Sequence, residues 1–96
     1  MIRTQAMELL ARHKAELARR FGVGTLALFG STVRNMARED SDVDILVLFD
    51  GPATSARYFG VQFYLEDLLG RPVDLVTDKA LRKELRPYIE NEAVYV

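Results

Sequence analysis

The chain has 96 residues, of which 49% are hydrophobic and 28% charged, with no cysteine and a formal net charge of −1. This length suits a single domain over residues 1–96, and the lack of cysteine excludes disulfides and thiolate metal sites. The near-neutral charge argues against direct nucleic-acid binding. No apolar run approaches the roughly 18 residues of a membrane span, and the first residues lack the layout of a signal peptide. We therefore expect a cytoplasmic globular protein with no membrane partner.

The first predicted element is an amphipathic helix from Ile2 to Phe21, because apolar residues recur there at spacings of three and four. Gly22 and Gly24 are expected to end it. His13 falls within the apolar stripe, and no neighbouring side chain completes a metal-binding set. We therefore expect His13 to be packed against other residues rather than to act as a ligand.

The second element is a buried strand over Thr25–Phe29, bounded by glycines. Gly30 breaks this strand, and Ser31 is predicted to cap a short helix that runs to Ala37. The remaining elements follow in this order: a strand over 42–49, a helix over 59–69 closed by Gly70, a strand over 73–77, and a helical stretch that Asp78 caps and Pro87 restarts. Residues 93–96 could extend that helix or form an edge strand. Strands alternating with helices indicate an α/β or α+β fold with a small sheet.

The segment that carries chemical information is Gly30-Ser31, then ten residues, then Asp42-Val43-Asp44. Residues i and i+2 of a strand point to the same face, so Asp42 and Asp44 would present two carboxylates together. Such like charges raise each other's pKa, and a divalent cation such as Mg²⁺ removes the conflict. Asp74, between apolar neighbours on the third strand, is a candidate third ligand. Taken singly, each of these two features has a simpler interpretation. Asp42 and Asp44 could belong to a surface turn, and Asp74 could be a carboxylate on an edge strand that faces water.

Gly30-Ser31 lies between a strand and a predicted helix, where free backbone N–H groups favour a phosphate. The guanidinium of Arg34, one turn further on, could reach a polyphosphate. Other aspartate and phosphate motifs fit less well. An EF-hand needs glycine and glutamate where the chain has Ile45 and Gly51. The Asp-x-Asp of a haloacid dehalogenase phosphatase follows its strand rather than preceding it, and the P-loop spacing is absent.

Gly30-Ser31, Asp42-Val43-Asp44 after ten residues and Asp74 on a later strand together resemble the nucleotidyltransferase fold of the polymerase-β superfamily. The short chain is similar to the minimal nucleotidyltransferases, the MNT antitoxins that are paired with HEPN-domain toxins. The family often has glycine after the motif arginine, where this chain has Asn35. Because asparagine also tolerates left-handed backbone angles, we expect little effect.

The resemblance implies an enzyme that transfers AMP from ATP to a hydroxyl and releases pyrophosphate. It implies that Asp42, Asp44 and Asp74 hold two Mg²⁺ ions, that Asp74 receives the acceptor proton, and that Gly30, Ser31 and Arg34 hold the phosphates. In the antitoxin family the acceptor is a tyrosine of the HEPN ribonuclease, which AMPylation silences. The implied partners are therefore ATP and a HEPN-domain toxin, in a hetero-oligomer of a toxin–antitoxin system.

Two alternatives remain open at this point. The chain could neutralise a partner by docking alone, as a non-catalytic nucleotide-binding antitoxin, or it could transfer the nucleotide to a small molecule such as an antibiotic. The absence of a domain for holding a small acceptor disfavours the second alternative. Tyr58, Phe59 and Phe63 could form a surface for a partner, although they could equally belong to the core.

Overall fold

The secondary structure follows a helix–strand–strand–helix–strand–helix–strand order. A computed structural model describes residues 2–34 and 41–96. The elements are helices α1 (Arg3–Phe21), α2 (Ser55–Leu69) and α3 (Arg86–Glu92), strands β1 (Val23–Phe29), β2 (Val43–Phe49), β3 (Val73–Thr77) and β4 (Val94–Tyr95), and a short 3-10 helix over Asp78–Ala80. Within these ranges, no helix is both long enough and apolar enough to cross a bilayer.

The four strands form one mixed sheet in the order β3-β2-β1-β4. β1 is antiparallel to β2 and to β4, whereas β2 and β3 are parallel. The prediction of a small mixed sheet with helices is confirmed. The chain end forms an edge strand rather than a continuation of α3. β3 is the other edge strand of the sheet, and its Val73 and Leu75 side chains are buried.

Apolar side chains pack on both faces of the sheet. The larger core lies between the sheet and helices α1 and α2, and its fully buried members include Leu10, Leu17, Leu28, Ile45, Val47, Val61 and Leu65. The smaller core lies on the opposite face, where Ala27, Phe29 and Leu46 pack against residues of the 3-10 helix–α3 segment and of the chain end, such as Leu81, Ile89 and Ala93. Alternate residues of β1 and β2 thus belong to opposite cores, as the period of two in a strand requires.

The ends of the first two helices follow local capping rules. Gly22 ends α1 and Gly70 ends α2, both with positive φ, as predicted. The assignment of Gly24 to the helix end is wrong, because Gly24 lies within β1 beside an irregularity in its pairing with β2. α2 begins four residues before the predicted start, since the Thr54 hydroxyl accepts a hydrogen bond from the Arg57 N–H at 3.2 Å.

The predicted capping role of Asp78 is also wrong. The Thr77 hydroxyl accepts the N–H of Ala80 at 3.3 Å and caps the 3-10 helix. The carboxylate of Asp78 instead accepts a hydrogen bond from the Arg86 guanidinium at 2.5 Å. This ion pair raises the pKa of Arg86 above its ordinary value. Pro87 lies in the first turn of α3, as predicted.

The described part of the predicted helix after Ser31 is a turn. Residues 30–34 are held by a backbone hydrogen bond from the Arg34 N–H to the Gly30 carbonyl at 3.4 Å. The predicted helix end at Ala37 and the departure at Asn35 lie outside the described residues.

Candidate active site at the start of strands β2 and β3

The Gly30 turn lies directly against the Asp44 carboxylate. β1 and β2 are antiparallel, and Phe29 is the register partner of Asp44, so the end of one strand meets the start of the other. Gly30 has φ of 74°, and a Cβ there would overlap Oδ2 of Asp44 and lie 2.8 Å from its Cγ. Both the backbone angle and the close approach require glycine at this position.

Asp74 lies beside Asp44 on the neighbouring strand. The two are register partners in the parallel β2–β3 pair, so their side chains project from the same face of the sheet. This face carries the smaller core. Asp44 is half-buried, whereas Asp74 and Asp42 are exposed. The structure therefore brings the three predicted carboxylates to one end of the sheet, with Asp44 innermost.

The environment of Asp44 disfavours its charged form. Burial, the charge of Asp74 and a hydrogen bond with Asp74 raise the pKa of Asp44 from 3.8 to about 6, and the charges of Asp42 and Glu92 add to the effect. The site thus holds more negative charge than its surroundings compensate. A bound cation would relieve this excess.

The predicted phosphate-binding residues lie next to this carboxylate group. Ser31 is half-buried in the turn that follows Gly30. Arg34, at the end of the same turn, donates to the carboxylate of Glu92. A glycine turn that carries a hydroxyl and a guanidinium has hydrogen-bond donors with which to bind an anionic group.

The donor set has the chemistry of a magnesium site, since carboxylate oxygens are the ligands that Mg²⁺ takes. Among residues 2–34 and 41–96, however, no three Asp, Glu or His side chains converge closely enough to hold a metal ion. Asp44 and Asp74 are in contact, and Asp42 is exposed at the rim. The residues therefore fit a divalent cation in chemical type and in excess charge, and cation binding would require the exposed carboxylates to turn inward.

Two residues at or near the turn could not be identified as site residues from the sequence. Glu92 pairs with Arg34 across 58 positions of the chain, a contact for which no local pattern exists. Thr32 is fully buried, and its hydroxyl has no hydrogen-bond partner among the described residues. The neighbouring residues Ser31 and Val33 do not predict that the Thr32 side chain is buried.

His13 lies away from this site and is packed, as expected. Its Nδ1 is 2.5 Å from the Tyr64 hydroxyl, which in turn donates to the Glu16 carboxylate and lowers the pKa of that group. The three side chains link α1 to α2. A network of this kind stabilises the contact between two helices.

The three aromatic residues that were candidates for a partner surface differ in burial. Tyr58 is partly buried against the larger core, and its hydroxyl donates to the Leu75 carbonyl at 2.6 Å. Phe59 and Phe63 are 50% and 65% exposed and stack with centroids 6.2 Å apart. The exposed pair forms an apolar patch on the outer face of α2.

Comparison with known proteins identifies the family. A family model described as a nucleotidyltransferase domain matches residues 10–96. The chain belongs to this family. It is 46% identical over 88 residues to the protein adenylyltransferase MntA of Thermococcus cleftensis, covering 92% of this chain and 89% of the relative. The resemblance to the minimal nucleotidyltransferases of the polymerase-β superfamily is confirmed, and the chain is a nucleotidyltransferase.

Solved structures show the same fold. A structure assigned to the minimal nucleotidyltransferases superposes with a TM-score of 0.77 at 38% identity, covering 93% of each chain. A chain from the complex of a tri-AMPylated HEPN toxin of Shewanella oneidensis with an MNT antitoxin gives a TM-score of 0.65 at 21% identity, over 92% of this chain and 69% of that one. At this identity the second likeness concerns the fold alone.

Proposed function

We propose that this nucleotidyltransferase transfers AMP from ATP to a tyrosine hydroxyl of a HEPN-domain ribonuclease and thereby acts as its antitoxin. The observation that carries the proposal is the contact of the Gly30 turn with Asp44, beside Asp74, because a turn with groups suited to binding phosphate then lies against a carboxylate group suited to binding a cation. The relative at 46% identity is named a protein adenylyltransferase. A protein of the same fold is found in a complex with an AMPylated HEPN toxin.

In this proposal the turn holds the triphosphate. Gly30 allows the phosphates to approach the backbone closely, Ser31 donates its hydroxyl, and Arg34 supplies a positively charged fork. Because these groups are fixed by the end of β1, they would hold the nucleotide in one orientation against the start of β2. Positioning of this kind accounts for much of the rate in phosphoryl-transfer enzymes.

Asp42, Asp44 and Asp74 would hold Mg²⁺, with two ions expected from the family resemblance. When bound, the metal neutralises triphosphate charge and lowers the pKa of the acceptor hydroxyl. Asp74 lies on an edge strand and is exposed, so a hydroxyl from another protein can reach it and release its proton there. The acceptor oxygen then forms a bond to the α-phosphorus as the bond between that phosphorus and the leaving pyrophosphate breaks.

The test is transfer of label from α-labelled ATP to the HEPN-domain partner in the presence of Mg²⁺. We expect label on the partner, none with Asp42→Asn or Asp44→Asn, and undiminished label with Asp50→Asn as the matched control. Asp50 is exposed just beyond the opposite end of β2. Replacing single tyrosines of the partner by phenylalanine identifies the acceptor. An unlabelled partner with intact inhibition would overturn the enzymatic proposal.

A second candidate is neutralisation by docking alone. It is favoured by the exposed apolar patch of Phe59 and Phe63, which offers a surface for a partner. Docking alone predicts that Asp44→Asn still inhibits the ribonuclease fully. Enzymatic silencing predicts that the same variant fails to inhibit it. Ribonuclease activity measured with and without ATP therefore separates the two candidates.

A further inference from the structure

An ion pair joins the Gly30 turn to the end of α3. Nη1 of Arg34 donates to Oε1 of Glu92. The Glu92 side chain is 25% exposed and that of Arg34 is 53% exposed, so the carboxylate is the more enclosed partner. This hydrogen bond occupies one of the five N–H donors of the guanidinium. A guanidinium held by one edge can still present its other donors to a second anion.

The fold places Glu92 at this turn through the pairing of β4 with β1. Leu28 is the register partner of Val94 and Ala27 that of Tyr95. Glu92, the last residue of α3, precedes Val94 by two positions, so this pairing brings the end of α3 close to the turn that follows Phe29. The Val96 N–H donates to the Leu26 carbonyl at 2.9 Å and secures the strand. Glu92 is therefore held by backbone pairing on one side and by α3 on the other.

Glu92 also adds negative charge to the carboxylate group, since it is among the charges that raise the pKa of Asp44. A fourth carboxylate close to a site for an anionic nucleotide would repel that nucleotide if it were unpaired. Its pairing with Arg34 offsets that charge. The pair leaves less positive charge at the turn than an unpaired Arg34 would, so the benefit that this contact can give to nucleotide binding is the orientation of the guanidinium.

We propose that Glu92 is a positioning residue that orients the Arg34 guanidinium at the Gly30–Ser31 turn toward the phosphates of the bound nucleotide. The inference rests on the proposed function, because it assumes that a nucleoside triphosphate binds at this turn. An exposed arginine loses side-chain entropy when it binds a ligand. Glu92 removes part of that cost beforehand by holding the side chain in one orientation, which is a form of preorganisation.

The test compares ATP and AMP binding by isothermal titration calorimetry with the full chain in magnesium chloride. Glu92→Gln keeps the size of the side chain and removes its charge. We expect this variant to bind ATP roughly tenfold more weakly and AMP as tightly as the wild type, because Arg34 would act on the phosphates that AMP lacks. In the transfer assay the KM for ATP should rise by a similar factor while kcat stays constant.

Glu90→Gln is the matched control, since Glu90 is exposed on the same helix and pairs with Arg86 instead. It should leave the affinities for ATP and AMP unchanged. The double variant Arg34→Ala/Glu92→Gln should bind ATP no more weakly than Arg34→Ala, because Glu92 would assist binding only through Arg34 and would repel the nucleotide when unpaired. The melting temperature of each variant establishes that it is folded at the temperature of the titration.

Three outcomes would overturn the inference while the proposed function stands: wild-type ATP affinity in Glu92→Gln, an equal loss of ATP and AMP affinity, or a further loss in the double variant beyond that of Arg34→Ala. The equal loss would indicate a purely structural role for Glu92. Failure of the wild-type chain to bind ATP would overturn the proposed function itself and this inference with it.

Discussion

Replacement of Asp44 by asparagine should stabilise the metal-free protein at neutral pH. The side chain is half-buried and is surrounded by other carboxylates, which raise its pKa from 3.8 to about 6. The folded state therefore holds the Asp44 proton to a higher pH than the unfolded chain does. Ionisation of Asp44 in the folded state therefore lowers the unfolding free energy. This penalty is nearly absent at pH 4 and below, grows as the pH rises to about 6, and is constant above that. Asparagine is uncharged and avoids it.

The size of the gain follows from the pKa. One pKa unit corresponds to about 1.4 kcal/mol, so the full penalty would be about 3 kcal/mol. Because part of the Asp44 carboxylate meets solvent, screening reduces the expected gain in unfolding free energy to about 1–2 kcal/mol. In a domain of this size, such a gain raises the melting temperature by roughly 5–10 °C.

The assay is thermal and urea unfolding of wild type and Asp44→Asn in EDTA, at pH 7.5 and at pH 4. We expect the stabilisation at pH 7.5 and the loss of most of it at pH 4. Asp50→Asn, the exposed control position beyond the other end of β2, should change stability little at either pH. An Asp44→Asn protein that is less stable than wild type at pH 7.5, or equally stabilised at both pH values, would refute the reasoning. Stabilisation together with lost transfer would show a site selected for chemistry rather than for stability.

Three further substitutions, together with one control, test the surroundings of the site and the contact between helices. Gly30→Ala should lower the unfolding free energy by about 2 kcal/mol or more, because the new Cβ strains a left-handed backbone and overlaps the Asp44 carboxylate. Gly70→Ala is the control: it has the same backbone strain but meets no neighbouring atom, and it should cost about 1 kcal/mol. Similar losses from both in urea unfolding would contradict the close approach. Thr32→Val should raise stability by up to about 1 kcal/mol, because it removes a buried hydroxyl that has no partner within residues 2–34 and 41–96. A clear loss of stability in the same measurement would show that the hydroxyl is hydrogen-bonded. Glu16→Gln should lower the melting temperature at pH 7, because Tyr64 above all, followed by nearby positive charges, lowers the pKa of Glu16 from 4.5. The stabilisation is present above the unfolded pKa and is lost as pH falls through the folded value, so a difference from wild type that persists unchanged well below pH 4.5 would argue against it.

Much of the fold is determined locally and could be predicted from the sequence. The bounds of β3 and the glycine ends of α1 and α2 follow from apolar spacing and from the φ that glycine permits, and these depend only on neighbouring residues. The sequence also predicted that Gly30 follows one strand and that Asp42 and Asp44 begin the next, whereas the contact of Gly30 with Asp44 comes from the antiparallel pairing of β1 and β2. When two adjacent strands are antiparallel, a glycine turn that ends the first strand and carboxylates that begin the second strand lie at the same end of the sheet.

The sequence by itself determined the chemical character of the site, namely a glycine-serine turn after one strand, two aspartates at the start of the second and one aspartate on the third. Only the tertiary structure decided how these groups differ: Asp44 is half-buried and Asp74 is exposed because β2 is interior and β3 is an edge strand. It also decided that the chain end pairs with β1 and carries Glu92 to Arg34. Strand order and charge proximity arise from contacts between residues far apart in the chain, and local spacing and composition do not specify which distant elements meet.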